Sequence, residues 1–106
     1  MAFDINEVTA QMLAAVKGTV KDNWPLMKDT ANAFIQTKKD RLELLASLRI
    51  NNEISEKFFQ KRLEDEKKIM ESEFHAVAII TKAIAQRAAN AAIDVLSNAV
   101  SKLIMI

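Results

Sequence analysis

His75 is the only histidine of the chain, and it follows Glu71 by four residues and Glu73 by two. On a helix, positions i and i+4 share a face, so Glu71 and His75 could hold a divalent cation together if a facing helix added carboxylates. Carboxylate-bridged metal sites in helical bundles build this from a Glu with a His three residues later, joined by inward Glu residues from the other helices. Position 72 is Ser, and the stretch of the first helical segment that would face His75, around Asp29 and Thr30, offers one carboxylate. Neither a metal nor another cofactor is therefore expected, and a carboxylate/His metal-binding bundle is the least favoured of three functional readings. His75 instead marks a border: a charged run precedes it, charge almost vanishes after it, and an ion pair with Glu71 is its expected use.

Other catalytic sets are poorly represented. The chain has no Cys and a single Gly, which removes thiolate nucleophiles, soft-ligand zinc sites and glycine-rich phosphate loops. No Ser, His and carboxylate stand in a pattern that would activate a nucleophile. The expectation is a protein that is not an enzyme.

The elements that must position these residues are helices. Half of the 106 residues are apolar, with one Gly and one Pro, which leaves few turns and predicts an all-α chain in one helical domain over 1–106. Ile5, Val8, Met12, Val16, Val20, Trp24, Met27, Ala31, Phe34 or Ile35, and then Leu42, Leu45 and Leu48 recur in steps of three and four, with one gap at Lys38. They predict a first helix over about residues 4–50, kinked or broken near 23–25, where Pro25 removes a backbone donor. The unbroken phase through Val20, Trp24 and Met27 favours the kink. Asn51 and Asn52 favour a turn over 51–54, and Ser55 is suited to cap a second helix running from about 55 to 104. With no Gly or Pro after Glu56, that helix would be on the order of 70 Å long. The expected fold is a long antiparallel helical hairpin that oligomerises into a bundle or larger assembly.

Such a hairpin sets residue i beside residue 105 − i, which brings Lys38, Lys39 and Arg41 next to Glu64, Asp65 and Glu66. A basic run neutralised by its own chain is a poor phosphate ligand, so no nucleic-acid partner is expected. Charge collects at this tip: residues 38–75 hold 18 of the 29 charged side chains, whereas 76–106 hold only Lys82, Arg87, Asp94 and Lys102. Of those last 31 residues 21 are apolar, nine of them Ala, and they form an arc wider than one partner helix covers. Copies of the same chain are the expected cover, through Val77, Ile80, Ile84, Ala85, Ala88, Ala92, Val95, Leu96, Ala99 and Leu103. The same pairing brings the apolar N-terminal residues against this segment, and the functional expectation is a non-enzymatic structural or interaction protein that self-assembles through the base they form together, the N-terminal residues with residues 76–106. The alternative is a membrane-active amphipathic helix, pore-forming or interfacial, which is allowed but not favoured because four charges interrupt the apolar stretch.

The start, MAFDINEVTA, carries Asp4 and Glu7 where a signal peptide has basic residues. No run of 18 uncharged apolar residues exists. A cytoplasmic location is expected, with leaderless secretion left open. In length and hairpin form the chain resembles the small secreted tryptophan-x-glycine proteins and the needle subunits of bacterial secretion systems. The first group carries Trp-x-Gly at its turn, whereas this turn reads INNEIS and Trp24 precedes Pro25 in mid-helix, so the resemblance is one of architecture alone.

Overall fold

The computed structural model describes residues 3–76 and 80–104, and these are all-helical, with no strand among them. Four α-helices follow one another: α1 (Ile5–Val20), α2 (Trp24–Ile50), α3 (Glu56–His75) and α4 (Lys82–Ile104), with one turn of 3-10 helix, Lys21–Asn23, between the first two. Each start has a local cause. Asp4 caps α1 by accepting from the amides of Asn6 and Glu7 at 3.0 and 3.4 Å. Ser55 caps α3 by accepting from the Phe58 amide at 3.1 Å, and Thr81 caps α4 by accepting from the Ile84 amide at 3.2 Å. In α2, Pro25 occupies the first turn, where its missing N–H is no loss.

Two expectations fail here. The first helix is not a continuous kinked rod. α1 ends at Val20, Lys21 turns into the left-handed region at φ 50°, and Pro25 belongs to the start of a new helix. The second helix is not continuous either, because α3 closes at His75 and α4 opens at Lys82.

Cross-helix contacts give the directions. Arg41 meets Glu66 at 2.9 Å, Phe34 meets Phe74 edge to face at 6.3 Å, and Arg49 meets Glu56 at 3.0 Å, so α2 and α3 are antiparallel. The Gln60 amide donates to the Ser97 hydroxyl at 3.2 Å, which sets the start of α3 beside the late part of α4. Asp4, Glu7 and Val8 lie beside Asn98, Ala99 and Lys102 at one end of the molecule, and Gly18–Asn23 lie beside Ile84 and Arg87 at the other. α1 is therefore antiparallel to α4, and by closure also to α2. The result is an up-down-up-down four-helix bundle. The expected pairing of i with 105 − i survives within each half, but the hairpin has folded in two.

The dimensions agree. Forty-six residues of unbroken helix would span about 69 Å, whereas the longest extent is 41 Å and the others are 23 and 21 Å. Along the axis all four helices turn apolar stripes inward: Met12 and Val16 from α1, Met27, Ala31 and Ile35 from α2, Phe59, Leu63, Met70 and Phe74 from α3, and Ala88, Ala92 and Leu96 from α4. The base expected to require further copies is covered by the chain's own α1, α2 and α3.

Candidate assembly surface

The ten positions expected to form the assembly face fall into three groups. Ile80, Ala85, Ala88, Ala92 and Leu96 are buried, four of them completely, and belong to the internal core. The small side chains of Ala85, Ala88 and Ala92 do what close helix approach requires, but toward the chain's own helices. Ile84, Val95, Ala99 and Leu103 are half-buried, at the edge of that core or beyond it. Val77 lies outside the described residues.

Three of the half-buried group line a single feature. Val95, Ala99 and Leu103 of α4 face Phe3, which precedes α1, and Val8 of α1, across an open groove of about 400 Å³. Its rim is charged and polar: Asp4, Glu7 and Gln11 on the α1 side, Asn98 and Lys102 on the α4 side. The groove arises from helix phase. α1 sends Ile5, Val8, Met12 and Val16 into the core and α4 sends Ile93, Leu96 and Val100 there. Beside that stripe, the spacing of Val95, Ala99 and Leu103 runs along the shoulder of α4, where α1 covers only one side. Sequence reasoning named these three positions and assigned the N-terminal residues to the same base, but did not single out Phe3 or Val8 as the opposite wall. Asp4, the cap that fixes where α1 begins, was the available signal.

Further apolar surface stands on α2 and α3. Leu26 and Leu44 are 57% and 61% exposed, and their separation of 18 residues is five helical turns, so they share one outward face of α2. Phe58 and Ile69 are the corresponding exposed residues of α3, at 49% and 38%.

The charged tip behaves differently from a ligand site. The Glu66 side chain is almost wholly buried, with Arg41 its only ion-pair partner among the described residues and its Oε2 without a hydrogen-bond partner. Lys67 bonds Glu64 at 3.1 Å, and Lys38 lies 5.8 Å from the centre of the Phe34 ring. At the α2–α3 turn, Arg49 donates to Glu56 Oε1, to Asn52 Oδ1 and to the Ile54 carbonyl. The Gln60 amide and Arg49 hydrogen bonds, in that order, hold the Glu56 carboxyl below its ordinary value of 4.5. A depressed folded value means that this staple stabilises the turn above that pH and is lost as pH falls through the lower, folded value. With Glu56 half exposed, solvent screens much of the effect.

His75 ends α3 and lines a shallow hollow with Lys68, Glu71, Ser72 and Lys82. The expected Glu71–His75 ion pair does not form among the described residues, and the two ammonium groups beside these side chains make the hollow inhospitable to a cation. Among the described residues, no three His, Asp or Glu side chains gather into a group able to hold a metal ion. Among the same residues, no helix is long and apolar enough to cross a membrane. Comparison with protein-family models, with curated proteins and with solved structures returns no match.

Proposed function

We propose that the chain is a non-enzymatic interaction module that works by self-association of folded four-helix units. The observation that supports this reading is the open apolar groove between α1 and α4, walled by Phe3, Val8, Val95, Ala99 and Leu103. Among the described residues 22 buried apolar residues from all four helices and Ile80 fill the internal core, Val8 at its edge among them, and Phe3, Val95, Ala99 and Leu103 are left half-buried along the groove. A groove of that kind with a polar rim is the form a helix-docking face takes. The role of α4 is thereby divided: its Ala-rich stripe closes the unit, and its Val95, Ala99 and Leu103 shoulder joins units. Folded units that meet through one face give a closed, discrete oligomer, in contrast to a filament that needs its partners in order to fold.

Sedimentation velocity across a concentration series, with and without anionic liposomes, tests the reading. The expected result is a reversible equilibrium between one folded chain and a discrete small oligomer, with no protein carried by the vesicles. A single folded chain at every concentration would overturn self-association. Quantitative recovery with the vesicles would replace it by the membrane-active reading.

A further inference from the structure

The distribution of charge around the α1–α4 groove points to its occupant. We infer that the groove is filled by the same face of a second copy, about a two-fold axis running along the bundle, so that each α1 lies across from α4 of the other copy. This rests on the self-association reading and adds the interface, its symmetry and its register.

The rim residues carry the choice of axis. Asp4 and Glu7 stand on the α1 wall and Lys102 on the α4 wall, all at the same end of the groove. A two-fold axis parallel to the helices exchanges the walls but keeps the level along the bundle. Asp4 and Glu7 of each copy then face Lys102 of the other, and the pairing occurs twice. A two-fold axis across the helices keeps the walls and reverses the level, which removes that match and, where the axis passes near Glu7, sets acid against acid. Charge complementarity selects the first arrangement, since the second forfeits the match at every level and adds repulsion where its axis passes near Glu7. It also places an antiparallel helix over each groove, so that Val95, Ala99 and Leu103 of one copy approach the Phe3 and Val8 wall of the other.

The size is adequate. A bundle side 41 Å long and 23 or 21 Å wide is of the scale from which stable complexes bury roughly 800 Å² per partner. The remaining exposed apolar residues, Leu26, Leu44, Phe58 and Ile69, belong to α2 and α3 and take no part in this contact.

A charge exchange tests the inference without touching the core. Glu7 and Lys102 are exposed, so Glu7→Lys, Lys102→Glu and the double variant should all keep wild-type helicity by circular dichroism. Each single variant sets like charges opposite one another at two symmetric places. Its dimer should dissociate about tenfold more readily in low salt, and the double variant should regain part of that loss, Asp4 alone then facing an acid. Leu103→Glu, in the groove, should abolish the dimer, whereas Leu44→Glu, on α2, should leave it intact. Wild type that never associates would defeat the inference together with the reading beneath it. A wild-type dimer that ignores the charge exchange and Leu103→Glu, but falls apart in Leu44→Glu, would defeat the inference alone and move the interface to α2.

Discussion

Glutamate in place of Ala88 or Ala92 is expected to unfold the bundle, with loss of helical circular dichroism at concentrations where the wild-type chain is fully folded. Both alanines are completely buried where α4 meets the other helices. A carboxylate there has neither room nor a cationic partner among the core residues around it. An uncompensated buried charge costs several kcal/mol even after relaxation, and overpacking adds about 1–3 kcal/mol. Domains of this size are stable by only about 5–15 kcal/mol. In a simple hairpin the same substitutions would act mainly on association. The fold assigns the loss to the single chain, so urea unfolding at a concentration favouring single chains is the readout. Lys61→Glu, an exposed change on α3, should shift that midpoint little. Wild-type stability in either alanine variant would show that α4 is not packed as described.

The second large effect concerns the buried carboxylate of α3. Arg41→Ala should destabilise the protein by about 2 kcal/mol, because it leaves the buried Glu66 carboxyl without its ion-pair partner between the helices. The cost stays below that of a fully buried pair because Arg41 is itself half exposed. Replacing Glu66 by Leu should be neutral or stabilising by comparison, since it removes both the charge and the unsatisfied Oε2. Denaturant midpoints for the two variants therefore move in different directions or by very different amounts. Equal losses in both would mean that the ion pair is a net source of stability and not a device that sets the register of α2 on α3.

The sequence carried much of this, in specific places. The register of α2 on α3 was legible to within two residues because bases before the turn meet acids after it: counting outward from INNEIS sets Arg41 beside Glu64, and the pair formed is Arg41 with Glu66. The two reversals were less legible, for a shared reason. Val20 and Met27 are both buried, on either side of the break at Lys21–Asn23. A helix that folds back onto the core it has just left keeps presenting apolar residues at helical spacing, so phase alone does not distinguish a kink from a reversal. The break after His75 has even less punctuation, with no Gly or Pro near it. Its available signals were the β-branched run through Ile80 and the capping potential of Thr81. The change of character at His75 was read correctly as a border, but the border is a helix end. The wide apolar arc of the last segment was also read correctly. Its partners are the first three helices of the same chain: the hairpin pairing had already set α1 beside it, but had placed α2 and α3 out of reach.

The account depends on that closure within one chain, and small-angle X-ray scattering tests it most directly at a dilution where sedimentation shows single chains. The bundle has a Cα radius of gyration of 13.6 Å, and scattering should return a value near this, slightly enlarged by side chains and hydration. A hairpin of helices on the order of 70 Å long would give about 20 Å, and that result would contradict the four-helix unit and the division of α4 between core and groove.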